Sequence, residues 1–416
     1  MKKIIFTAVM FFFILNTADS QTWIQRLPGI SMWSVCRDLP GNIYAGTSGT
    51  VRAIYKSTDG GNNFNPILQN GVTNFLSIAV DSQNNIYSAN VSNGLVKSTD
   101  GGNNWITIPV SVFNGKSLEV VACGKNGYIY VGTISGGLFR STDYGNTFPD
   151  TAITSGTFVT IVIDKYNSNI IYAGASSTTG ITGLFRSTDA GLTYTATSNT
   201  NTCWGVVQKG PLELYMATTS TGYPFTKSTD GGLNWTTVGT QPGAMRGMTL
   251  DLAGNIYICG NGGVFKSTNN GATFTNANYT NSGNQIIGYQ NKIFAAISGT
   301  TYGGVWYFVD SSLSNIQKIS TGIPEEFRLY QNYPNPFNAE TKIKFDLKED
   351  GRRKTEDVKL VIYDVTGREI ETLVNEQLQP GTYEITFDGS NFASGIYFYQ
   401  FRAGYFIQTK KLILLK

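Results

Sequence analysis

Whatever chemistry this chain performs, it performs without histidine, because the sequence contains none. That removes Ser-His-Asp and Cys-His nucleophilic sites, histidine-bound zinc, and the side chain that most often serves as a general base near neutrality. Carboxylates, arginines and tryptophans remain. Hydrolysis of a glycoside needs two positioned acids. Asp38, Asp81, Asp164 and Asp251 each end a short apolar run and read as turn caps, which leaves Glu119, Asp150 and Glu213 as the acids that break the pattern. Among the arginines of the first 320 residues, Arg140 and Arg186 share a recurring place held elsewhere by Lys56, Lys97, Lys227 and Lys266, so only Arg26, Arg37, Arg52 and Arg246 are free of the repeat. Five residues before the strand-ending aspartate, or its equivalent, the aligned positions read Trp33, Leu76, Glu119, Val159, Trp204, Arg246 and Gly283. Trp33 and Trp204 could stack on a sugar or a peptide while Glu119 and Arg246 fix polar groups, and these four are the candidate ligand-binding residues. The competing reading is that the tryptophans only pack between elements. Glu119 is also the one candidate catalytic acid. No pattern of ligands suggests a metal, and no motif suggests a cofactor.

Two repeated elements must position these residues. The first is Ser-x-Asp-x-Gly-x-x-aromatic, as in Ser98-Thr99-Asp100-Gly101-Gly102-Asn103-Asn104-Trp105. Its aspartate recurs at Asp59, Asp143, Asp189 and Asp230, with a weakened copy at Asn269. A short carboxylate accepting backbone N–H groups inside a turn, with glycine supplying a left-handed angle, makes this a structural hairpin rather than a site, since a catalytic group is expected once and not in every repeat. The second element is an Ile-Tyr strand whose aromatic falls at Tyr44, Tyr87, Tyr130, Tyr172, Tyr215, Tyr257 and Phe294, which counts seven units. Each unit holds four short strands, and units of about 40 residues built this way are the pattern of a propeller blade. Helical periodicity is absent. Thr22-Trp23-Ile24-Gln25-Arg26 is a strand left over before the first full unit. It is expected to pair with the last blade and close the ring, with Ile316-Gln317-Lys318-Ile319 as the competing closure strand.

The repeated Ser-x-Asp turn resembles the Asp-box of the BNR and sialidase-like propellers. In sialidases that resemblance implies an arginine cluster gripping a carboxylate and a tyrosine nucleophile, and no such triad can be picked out here. After about residue 320 the composition becomes more charged, and Thr321 to Phe327 reads as a linker. Period-two strands follow at Thr341–Leu347, Val358–Asp364, Gly381–Phe387, Gly395–Phe401 and Lys410–Lys416, the pattern of a small antiparallel Ig-like β-sandwich. Leu329-Tyr330-Gln331-Asn332-Tyr333-Pro334-Asn335-Pro336-Phe337-Asn338, Ile362-Tyr363-Asp364-Val365-Thr366-Gly367-Arg368-Glu369 and Ala393-Ser394-Gly395-Ile396-Tyr397-Phe398-Tyr399 make residues 328–416 similar to the type A C-terminal sorting domain of the type IX secretion system of Bacteroidetes. That resemblance implies an outer-membrane translocon and a sortase-like protease as partners.

Lys2-Lys3, an apolar run from Ile4 to Leu15 and small residues up to Ser20 read as a signal peptide over 1–20, cleaved after Ser20. Cys36, Cys123, Cys203 and Cys259 sit in apolar strand patterns and read as buried thiols, with Cys203 and Cys259 the pair placed to bridge. The fold expected is all-β: a seven-bladed propeller over 21–320, a linker over 321–327 and a sorting sandwich over 328–416. A net charge of +3 spread over both signs implies no nucleic-acid partner and contact with membranes only in transit. The function expected is an exported, non-enzymatic binding or adhesion module for a glycan or protein ligand, secreted or at the outer cell surface. The alternative is a secreted glycoside hydrolase or lyase working at the propeller mouth. A third resemblance, to the photosystem II assembly factors, shares the propeller but not the sorting domain.

Overall fold

The computed structural model describes residues 22–69, 74–125, 127–176, 180–310, 316–320, 322–349, 355–389 and 392–415. The expected signal peptide and its cleavage point at Ser20 lie outside them.

Runs of β-branched and aromatic residues broken by Gly, Asn and Asp form strands and turns, and between Ile24 and Val309 they assemble seven four-stranded antiparallel sheets. The inner strands are Met32–Arg37, Phe75–Val80, Leu118–Cys123, Thr157–Ile163, Cys203–Gln208, Met245–Leu250 and Gly283–Tyr289. Each packs against the next, and the first packs against the seventh, so the sheets form a closed ring about a central channel. The closure strand is Ile24–Arg26, which pairs Ile24 with Tyr307, Gln25 with Trp306 and Arg26 with Val305. Trp23 anchors it: the indole is buried, donates from Nε1 to the Ala277 carbonyl at 2.7 Å, and packs on Tyr279 and Phe308.

The second strand of each sheet is buried on both faces, and its aromatic is almost wholly enclosed. The two repeated elements of the sequence meet here, across neighbouring blades. Tyr87, Tyr130 and Tyr172 donate from their hydroxyls to the carbonyls of Tyr144, Ala190 and Gly231, which lie in the Ser-x-Asp turn of the following blade. Space is so tight that a Cβ on Gly61, which has φ +86°, would stand 2.3 Å from the Phe294 ring. Within each turn the geometry is the same. Ser57 Oγ donates to Asp59 Oδ1 at 2.8 Å and accepts from the Gly61 amide, and Asp59 Oδ1 also accepts the amides of Asn62 and Asn63. Asp100, Asp143 and Asp230 repeat this pattern, and Asp189 and Asn269 keep its core, Asp189 accepting from Ser187 Oγ and the Thr193 amide and Asn269 from Ser267 Oγ and the Thr273 amide. A short 3-10 turn at Val110–Phe113, outside the strand pattern, tucks Phe113 under the second and third blades.

The C-terminal unit is two four-stranded antiparallel sheets around a core that includes Ile343, Phe345, Leu360, Ile362, Tyr399, Phe401 and Leu412. Two features depart from the sequence reading. Ile316–Ser320, placed on the propeller side of a boundary at residue 320, does not close the ring. It is the edge strand of a C-terminal sheet, paired with Gly381–Asp388, because Ile316 finds an apolar core there. Glu369–Leu378 is a further strand, pairing with Glu356–Tyr363 through two register shifts that interrupt its alternation. The sandwich also rests on the propeller: Tyr289 Oη and Gln290 Nε2 both donate to the Thr372 carbonyl at 3.2 Å, and Arg368 Nη1 donates to the Ser82 carbonyl at 2.9 Å. All four cysteines are free, so Cys203 and Cys259 are not bridged.

Candidate functional site

Every inner strand carries a β-bulge near its start. The register passes from Met32 to Ser34, from Phe75 to Ser77, from Leu118 to Val120, from Phe158 to Thr160, from Cys203 to Gly205, from Met245 to Gly247 and from Gly283 to Gln285. A bulge leaves its extra residue out of the ladder and re-aims that side chain. The seven residues so released are Trp33, Leu76, Glu119, Val159, Trp204, Arg246 and Asn284, and all seven line one cavity of about 280 Å³ in the central channel. Six are the positions picked from the repeat. At the seventh the expected Gly283 is corrected to Asn284, because Tyr289, one residue further on than the alignment took, stands level with the strand-ending Asp38, Asp81, Asp164 and Asp251.

Arg246 is the centre of the site. Its guanidinium lies 5.7 Å from the Trp33 ring centre and 5.8 Å from that of Trp204, within cation–π reach of both. Asn284 holds it in place: Oδ1 accepts from Arg246 Nη1 at 3.0 Å while Nδ2 donates to the Met32 carbonyl at 2.9 Å. Among the described residues no carboxylate comes within ion-pair distance of Arg246. Glu119 is in the same channel, where burial pushes its carboxyl up to about 7 although the charge of Arg246 works in the opposite direction. Both tryptophans are half-buried and face the cavity rather than being enclosed between blades.

The other two acids that break the repeat are drawn away. Asp150 forms a 2.6 Å ion pair with Arg140, and Glu213 one of 2.7 Å with Lys227. Glu119 is therefore the one carboxylate among the described residues that line the channel. Asp38, Asp81, Asp164 and Asp251 cap turns as expected, each accepting backbone N–H groups of the following loop. Asp38 also accepts the hydroxyl of Tyr44, while Asp81 and Asp164 share the single hydroxyl protons of Tyr87 and Tyr172 with the carbonyls of Tyr144 and Gly231. Sequence reasoning missed Asn284 and the clamp it places on Arg246; counting from the strand start, where the bulge lies, would have found it.

Residues 331–415 match the model of the secretion system C-terminal sorting domain, which indicates export by the type IX route. No curated protein matches the chain. Among solved structures, YCF48 bound to a D1 peptide is similar with a TM-score of 0.53 at 15% identity, over 70% of this chain and 97% of that one. PorZ, described as an essential bacterial surface component of the type-IX secretion system of Porphyromonas gingivalis, is similar with a TM-score of 0.51 at 13% identity, over 93% of this chain and 59% of that one. The extracellular domain of BT3049 from B. thetaiotaomicron, a hybrid two-component system protein, gives 0.53 at 14% identity, over 95% and 57%. At such identities the likeness is one of fold, the β-propeller.

Proposed function

We propose that this chain is a binding or adhesion module that takes a glycan or protein ligand in the propeller channel, at the outer cell surface or outside the cell, and does not turn it over. One observation carries the reading. Where the Ser-x-Asp turn and the Ile-Tyr strand recur nearly unchanged, the seven bulge residues change character from blade to blade, and they present a clamped guanidinium, two tryptophan faces and one carboxyl to a single cavity. A guanidinium with no carboxylate at ion-pair distance suits a ligand that carries an anionic group, and the tryptophans add flat apolar surface around it. The surface role described for PorZ and the peptide-bound form of YCF48 are compatible with this use of the fold. The hydrolase or lyase reading rests on Glu119, whose raised proton affinity suits a general acid. It lacks the second acid that glycoside hydrolysis needs, since Glu119 has no carboxylate companion among the described channel-lining residues.

The test is a glycan and peptide array probed with the whole protein and with Arg246→Ala, beside a hydrolysis screen on every hit. Captured ligands are expected to be lost in the variant, with its melting temperature nearly unchanged and no product released by either form. Turnover that disappears in Glu119→Gln would replace the binding reading with the enzymatic one.

A further inference from the structure

We propose that Ile316–Ser320 is a strand donated to the sorting sandwich from the propeller side of the chain, and that it holds the two units together after the chain is cut in segment 322–326. The segment matched as a sorting domain begins at residue 331, so this strand lies outside it. Yet the strand completes a sheet of the sandwich, pairing Ile316 with Ile385, Gln317 with Glu384, Lys318 with Tyr383 and Ser320 with Thr382. Ile316 is buried in the sandwich core, and Lys318 donates from Nζ to the Pro380 carbonyl at 2.8 Å while lying 5.8 Å from the centre of the Tyr383 ring.

Between this strand and the matched domain runs exposed chain. Ile323 is 57% exposed and Gly322, Glu325 and Glu326 are exposed as well, the setting in which proteolysis concentrates. Hydrolysis of one peptide bond there adds water, leaves a new carboxylate and a new ammonium, and breaks none of the contacts just described. The strand stays with the propeller fragment and remains paired in the other. A cut alone therefore does not free the propeller. Release needs the ladder to open, as happens when another strand takes the edge by β-augmentation.

The experiment replaces residues 322–326 of the full chain with the recognition sequence of a site-specific protease, cuts the native protein and runs size exclusion. The two fragments are expected at the elution volume of the uncut chain, separating only in denaturant. Gln317→Pro combined with Lys318→Pro removes the ladder donors at both positions, and fragments of that variant are expected to elute apart. Ile316→Ala, which leaves the ladder in place, is expected to speed release measurably, and this second variant reads the strand even where the prolines unfold the sandwich. Separation of the fragments without any change in the strand would overturn the proposal. Co-elution of the double-proline variant, or unchanged release from Ile316→Ala, would overturn it too, by assigning the hold to the Tyr289 and Arg368 contacts.

Discussion

Glu119 carries its proton more tightly in the folded protein than in the unfolded chain, because burial in the channel disfavours its charged form by more than the nearby Arg246 charge favours it. Its ordinary value of 4.5 rises to about 7, so ionisation costs stability. The cost is absent below the unfolded value, grows as pH rises, and is complete above the folded one. Glu119→Gln is therefore expected to flatten the fall in melting temperature between about pH 5 and pH 8, a gain at the alkaline end on the order of a few kcal/mol. Part of the slope will remain, since burial also pushes Glu371 up to about 7. An unchanged pH profile in the variant would mean the channel is wetter than its walls suggest. At this scale the sequence was partly legible. The repeat exposed six of the seven channel positions because an aspartate or its equivalent marks the strand end, and it failed at Asn284 where a tyrosine replaces that marker. The Trp33–Arg246–Trp204 arrangement was not legible, since it is produced by the closure of the ring, which brings Trp33 to Arg246 across more than two hundred positions of sequence.

Among the elements, the Ser-x-Asp turn is where sequence and structure agree most closely, and the reason is that its chemistry is local. The Asn104 amide, then the Asn104 side chain, hold Asp100 at about 2, below its ordinary 3.8. The folded value lies below the unfolded one, so the stabilisation is present above the unfolded value and disappears as pH falls through the folded one. Asp100→Ala is expected to lower the melting temperature at neutral pH, to converge with the unaltered protein as the pH approaches 2, and to leave ligand capture intact. Lost capture with unchanged melting would move chemistry into the turns. What the turn sequence does not reveal is its partner: the glycine and carbonyls of the turn pack on the aromatic of the preceding blade, a contact between elements that only the ring creates. The Glu369–Leu378 strand escaped for a different reason. Register shifts interrupt its pairing, so it shows no simple period of two.

The whole molecule is a ring closed by its own N-terminal strand and a sandwich completed by the chain's last described strand. Trp23→Ala removes a buried side chain and the hydrogen bond to Ala277, and is expected to cost about 3–5 kcal/mol, the usual range for truncating a buried large aromatic. Calorimetry should show the loss in the propeller transition, and an unaffected transition would mean that closure by Ile24–Arg26 is incidental. A sorting domain that indicates export by the type IX route predicts that the C-terminal unit delivers the folded propeller out of the cell. Residues Phe406–Leu414 form the strand that brings Leu412 and Leu414 into the sandwich core, so deleting Thr409 to Lys416 should unfold the sandwich and leave the propeller, with its separate cores, folded. The most direct measurement is to fractionate a host carrying the type IX system that expresses the intact and the truncated chain, and to blot for the propeller. Intact protein outside the cell with truncated protein retained, folded, in the periplasm is the predicted result; equal amounts of both forms outside the cell would contradict it.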